Sequence, residues 1–115
     1  MNSTMPFGLS VATLEKLRAV FSRHKAIECV VICGSRAKGN YRRGSDIDLT
    51  IKGDEISFAQ FMQIADQIDD LMLPYSVDLS QYQQIENLEL IAHIDRVGVE
   101  IYRRDQRHRT ATSDK

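Results

Sequence analysis

The chain has 115 residues, 43% of them hydrophobic and 27% charged, with a formal net charge of −1, which suits one domain burying about two-thirds of its unfolded surface. So even a balance excludes a general electrostatic affinity for nucleic acid or anionic membrane. No apolar run approaches the roughly 18 residues of a membrane span, and residues 1–7 lack the charged start and apolar block of a secretory signal. A cytoplasmic location is therefore expected, with no membrane partner and no direct nucleic-acid binding.

Taken in chain order, the first element is a helix capped by Ser10 and extending to about His24. Leu14, Leu17, Val20 and Phe21 recur along it at helical spacing and form one stripe. Residues 27–33 are short, β-branched and bounded by Gly34, which predicts a central strand. Cys29 and Cys33 fall on it about 13 Å apart at ~3.3 Å per residue, too far for a disulfide. They are expected to be buried free thiols, because His24, His93 and His108 offer no zinc-ligand spacing with them. A turn or short helix is expected over 35–38, and then a strand over 46–52. On that strand Asp46, Asp48 and Thr50 share one face, while Ile47, Leu49 and Ile51 share the other.

Ser57 and Gln60 have the spacing of a capping box at the head of the next helix. Its apolar positions are Phe58, Phe61, Met62, Ala65, Ile68, Leu71 and Met72, and Pro74 ends it. Residues 75–79 predict a third strand carrying Asp78 between Val77 and Leu79. Asn87 caps a helix to Val97, Gly98 suits a left-handed C-terminal cap, and residues 99–102 give a last strand. The expected fold class is α+β, with helices packed on a mixed short-stranded sheet in the order α-β-α-β-α-β-α-β. It is read as one domain over 1–104 followed by a polar tail over 105–115; Arg103, Arg104, Arg107 and Arg109 read as a solubilising end, with contact to RNA or an acidic partner as the alternative. The strand order is left open.

Chemistry concentrates between residues 34 and 48. Residues two apart on a strand project to one face, so Asp46 and Asp48 converge and repel unless a cation compensates them. Hard carboxylate oxygens suit Mg²⁺, which is usually completed by substrate phosphates. An Asp-x-Asp triplet alone is weak evidence, arising by chance in about a third of chains this long. Gly34-Ser35 standing ten residues before it lowers the chance to about one chain in a thousand. Glycine lets backbone come close to a ligand, and the amides opening a short helix after it can bind phosphate oxygens. Arg36 and Lys38 lie where basic side chains can face phosphates, by charge and proximity. Arg42 and Arg43 read either as a solvated loop or as partner or acceptor contacts. Asp78 reaches the same pocket if its strand lies beside 46–52, and three acids allow two metal ions about 3.5–4 Å apart. Glu28, Tyr82 and His93 have no evident catalytic partner and are assigned to the scaffold.

Gly34-Ser35-x10-Asp46-x-Asp48 with a later strand acid resembles the nucleotidyltransferase superfamily related to DNA polymerase β. The small size is similar to its minimal branch, the antitoxins encoded beside HEPN-domain toxins. The resemblance implies that Gly34 and Ser35 hold nucleotide phosphates, that Asp46 and Asp48 bind Mg²⁺, and that Asp78 is the third catalytic carboxylate. It also implies ATP as substrate and a cognate HEPN RNase toxin as partner, adenylylated on a tyrosine hydroxyl. Two alternatives stand beside this: neutralisation by binding alone, and nucleotidyl transfer to a small molecule or RNA with a separate acceptor-binding subunit.

Overall fold

Each of three helices is opened by a side chain standing immediately before it. The computed structural model describes residues 9–34, 46–53 and 56–104. In α1 (Val11–Ser22) the Ser10 hydroxyl accepts from the Thr13 amide at 3.1 Å. In α2 (Phe58–Asp69) Ser57 accepts from Gln60 at 3.0 Å. In α3 (Leu88–Val97) the Asn87 side-chain Oδ1 accepts from the amides of Glu89 and Leu90 at 2.9 and 3.2 Å. Each such cap contributes about 1 kcal/mol by satisfying amides that the helix leaves open.

The capping box at Ser57 is only half formed. Gln60 does not reach back; its side-chain nitrogen lies 3.4 Å from His24 Nδ1. His24 is buried, and its Nε2 lies 2.8 Å from Gln67 Oε1. A ring carrying its proton on Nε2 satisfies both contacts. A buried imidazole without partners costs more than a helix-end amide that water can reach, so the tertiary partner takes the glutamine.

Four strands form one sheet: β1 (Cys29–Cys33), β2 (Ile47–Lys52), β3 (Val77–Gln81) and β4 (Val99–Arg103), in the order β3-β2-β1-β4. β1 pairs antiparallel with both β2 and β4, whereas β2 and β3 run parallel. Parallel neighbours need a long crossover, which α2 provides. On one face Val30, Ile32, Ile47, Leu49, Ile51 and Ile101 meet Leu14, Leu17, Val20 and Phe21 of α1 and Ile64 and Ile68 of α2. Burial of these side chains, about 1.5–3 kcal/mol each, is the main driving force of the fold. Arg18 Nε donates to the Ile101 carbonyl at 2.6 Å and ties α1 to the edge strand β4.

α3 belongs to the opposite face. Gly98, which follows it, has φ −68° and is not left-handed. Its necessity is space: a Cβ there would stand 2.4 Å from Val31 Cγ1 and 2.6 Å from the Ile94 carbonyl oxygen. The expected apolar stripe of α2 is also narrower than its sequence implies. Phe58, Met62 and Met72 are exposed, and Ile64 and Ile68 carry the burial. The helix ends at Asp69, before Met72 (φ 57°) and Pro74. Cys29 and Cys33 are buried free thiols. No helix among the described residues is long and apolar enough to cross a membrane. The short helix expected over 35–38 and the tail over 105–115 lie outside the described residues.

Candidate active site

β1 ends at Cys33, and the backbone turns at Gly34 with φ +73°, in the left-handed region that glycine alone adopts freely. A side chain is also excluded by contact. A Cβ at Gly34 would lie 2.2 Å from Asp48 Oδ2 and 3.2 Å from its Cγ. The turn is therefore pressed directly against the carboxylate of β2, which follows from the pairing of Cys33 with Asp48.

The parallel register then aligns Asp48 with Asp78 on the neighbouring strand, and Thr50 with Ser80 one step further on the same face. Asp48 feels both neighbouring acids. Burial first, then the charge of Asp78, then that of Asp46, hold its carboxyl above the usual range. Asp46 and Asp78 are themselves exposed. Among the described residues, no three carboxylate, imidazole or thiol groups close into a metal cage. An open arrangement suits Mg²⁺, which binds through one or two carboxylates and leaves its other positions to water and phosphate oxygens. Hard oxygen donors, mutually repelling and beside a turn that nothing but hydrogen can fill, fit such an ion.

Asp48 and Asp78 border a cleft of about 310 Å³. Cys33, Gly34, Asp48, Leu49, Thr50, Asp78 and Ser80 line it from the sheet, and Leu90, His93 and Ile94 line it from α3. The floor hydroxyls are already engaged: Thr50 Oγ1 lies 3.4 Å from Ser80 Oγ, which donates to the Leu49 carbonyl at 3.5 Å. Cys33 Sγ lies 3.5 Å from Thr50 Oγ1, and burial pushes the thiol up, out of the range of a ready nucleophile. α3 is tied down by Tyr82, whose hydroxyl donates to the Asp95 carboxylate at 2.9 and 3.1 Å, while Lys52 Nζ sits 4.5 Å from the Tyr82 ring centre.

Of the residues singled out in the sequence, Gly34, Asp46, Asp48 and Asp78 fall in one neighbourhood at one end of the sheet. Ser35, Arg36, Lys38, Arg42 and Arg43 lie outside the described residues. Tyr82 keeps the scaffold role assigned to it. His93, also assigned to the scaffold, lines the cleft from α3. Thr50, Ser80 and Leu90 were missed as cleft residues. The first two were readable, since each stands two positions after an acid on its strand.

A family model described as polymerase beta, nucleotidyltransferase matches residues 15–107. No curated protein sequence matches the chain. Among solved structures, a toxin–antitoxin complex with AMP-PNP contains a chain 17% identical, with a TM-score of 0.62, covering 90% of this chain and 81% of that one. A second similar structure is tri-AMPylated Shewanella oneidensis HEPN toxin in complex with MNT antitoxin: 13% identity, TM-score 0.60, 90% and 80% covered. At these identities the likeness is one of fold.

Proposed function

The chain belongs to the polymerase β family of nucleotidyltransferases, and from that premise we propose that it transfers AMP from ATP to a hydroxyl of a cognate HEPN-domain toxin. The acceptor in this reading is a tyrosine, and its modification silences the toxin's RNase activity. One observation carries the proposal: Asp48 and Asp78 stand side by side on parallel strands, against a left-handed glycine and over an open cleft. The structural likeness to toxin–antitoxin complexes, one with AMP-PNP and one with an AMPylated toxin, supports it.

Gly34 and Ser35 would receive the β- and γ-phosphates on backbone amides and a hydroxyl, with Arg36 and Lys38 facing the same charge. Asp46, Asp48 and Asp78 would hold Mg²⁺, two ions in the full assignment. When bound, Mg²⁺ neutralises phosphate charge and polarises the reacting centre. The acceptor oxygen attacks the α-phosphorus in line. A new O–P bond forms as the bond to the bridging oxygen breaks, and pyrophosphate leaves with that electron pair. The hydroxyl proton passes to Asp78 and from there to water. Positioning and charge neutralisation are what this chain contributes.

The test is the intact mass of the purified toxin after incubation with ATP and Mg²⁺. A gain of one or more adenylate units with wild type, and none with the Asp46→Ala, Asp48→Ala double variant, is expected. A double variant that neutralises the toxin as well as wild type at matched expression would mean that binding alone suffices.

A further inference from the structure

From the contrast between the two edges of the sheet we infer that β3 is an association surface for a second copy of this chain, paired antiparallel about a twofold axis at Leu79. The association needs nothing from the transferase reading.

An open strand edge invites pairing, and proteins blunt it with charge, bulges or covering groups. β4 has all three. Its register with β1 is broken between Val30 and Val31, Glu100 and Arg103 form an ion pair along it, and Arg18 occupies the Ile101 carbonyl. β3 has none of these devices: its five residues pair with β2 in unbroken register, and Asp78 is their only charge.

The ladder shows which backbone groups of β3 are open. The Ile47 amide donates to the Ser76 carbonyl at 2.9 Å, and in a parallel pair the residues that bond to the neighbour alternate along the strand. Ser76, Asp78 and Ser80 therefore turn their backbone groups to β2. Val77, Leu79 and Gln81 turn their N–H and C=O groups outward, where nothing among the described residues pairs with them. Beside this edge, on the α2 side, lies a pocket of about 400 Å³ with Ile56, Phe58, Phe61, Leu79 and Gln84 in its lining. Phe58 is 76% exposed, and Met62 one turn further along α2 is 43% exposed. Open backbone and exposed apolar side chains thus share one border of the molecule.

A second copy satisfies both. With the axis at Leu79, that residue faces its own mate and Val77 faces Gln81 of the second copy. Every outward group is then bonded, because antiparallel partners of this kind exchange both of their hydrogen bonds. Residues directly opposite share a face of the sheet. The two Leu79 side chains accordingly meet on the α2 side, where Leu79 already packs against the core, and Asp78 falls opposite Ser80 of the second copy. An axis at Asp78 would set the two acids against each other, and one at Ser80 would leave Val77 unpaired. A stable interface takes about 800 Å² from each partner. Phe58 alone offers on the order of 150 Å², with the strand edge, Phe61, Met62 and Gln84 around it. With no charge pair across it, such a contact is expected to dissociate in the micromolar range. It would join two four-stranded sheets into one and bring Ser80 of the second copy to the rim of each cleft.

The test uses the full chain alone, in sedimentation velocity and in amide hydrogen exchange followed by NMR. A monomer–dimer equilibrium with half-association at micromolar concentration is expected. The amides of Val77, Leu79 and Gln81 should slow about tenfold as the dimer fills, whereas those of Asp78 and Ser80, bonded to β2, should be slow at every concentration. Phe58→Glu places an acid in the contact, and Gln81→Lys charges the edge as β4 is charged; each should weaken association about tenfold. Phe58 is exposed in the single chain, so its replacement leaves the fold intact, as a thermal melt at low concentration will check. A chain that stays monomeric throughout overturns the inference. So does a dimer whose three outward amides remain fast, which puts the contact elsewhere, or one that both variants leave unchanged. Protection independent of concentration gives the edge to another segment of the same chain, and protection that arises only when the toxin is added gives it to a foreign strand; either result overturns the pairing of copies.

Discussion

Replacing Gly34 with alanine separates the position of a carboxylate from the stability of the fold. At φ +73° an alanine is strained by about 1–2 kcal/mol. The new methyl would stand 2.2 Å from Asp48 Oδ2, where ordinary contact begins near 3.4 Å, so the oxygen must retreat by about 1 Å. That oxygen is the end of a side chain, and it can rotate away at little further cost to folding. The site cannot absorb the same movement, since a 1 Å misplacement of a reacting group costs about 100-fold in rate. Gly34→Ala should therefore lower the Tm by about 4–10 °C and lower toxin adenylylation, read by intact mass against time, by about 100-fold. Gly53→Ala is the matched control: its methyl would meet the Ala26 carbonyl oxygen at 2.1 Å, and backbone cannot swing aside. It should destabilise more than Gly34→Ala and keep the rate per folded molecule. A Gly34→Ala protein with wild-type Tm and a rate within threefold of wild type would refute the idea that the turn sets the position of Asp48.

Other outcomes follow from the same contacts. The Asp48 carboxyl is raised by burial, Asp78 and Asp46, so the folded state binds its proton more tightly than the unfolded chain. That stabilisation is complete below the unfolded value and is lost as pH rises through the folded one. Without divalent ions, Asp48→Asn should consequently raise stability at pH 7 by about 1 kcal/mol in urea unfolding, make little difference near pH 3, and abolish transfer. Mg²⁺ should stabilise wild type more at pH 7 than at pH 5 in thermal melts, and stabilise Asp48→Asn less at either. Arg18→Ala removes the donor to the Ile101 carbonyl and should cost about 1–2 kcal/mol, with nucleotide affinity unchanged by calorimetry. His24→Ala empties a buried ring site and strands two glutamine amides; a loss of about 2–3 kcal/mol is expected, again without effect on nucleotide affinity.

Local signals in the sequence were dependable where the partner is close along the chain. Ser10, Ser57 and Asn87 each accept from an amide two or three residues on. Alternation on β2 correctly divides Ile47, Leu49 and Ile51 from Asp46 and Asp48, although Thr50 is buried against Cys33 and Ser80. Failures came where distant segments decide. Gln60 is claimed by His24, 36 residues away. Phe58 and Met62 share a helical face with Ile64 and Ile68 only in part, and periodicity does not say where the neighbouring layer stops. Gly98 was assigned a backbone reason and has a packing one, set by Val31 on another strand. His93 was read by its lack of a partner in sequence, whereas its setting depends on how α3 lies over the sheet. For the acids, chain order gave the motif, and only the pairing of β2 with β3 shows that Asp78 faces Asp48.

That pairing has a consequence for how the protein tolerates change. No hairpin joins β2 to β3, so α2 and the segments flanking it can lengthen or shorten while the ladder between the strands survives. Within β3 the tolerance vanishes. Deleting one residue ahead of Asp78 inside the strand would invert every side chain after it, sending the acid into the oily layer and a leucine out over the cleft. Length variation among descendants of this chain should gather around the crossover and spare the five positions of β3.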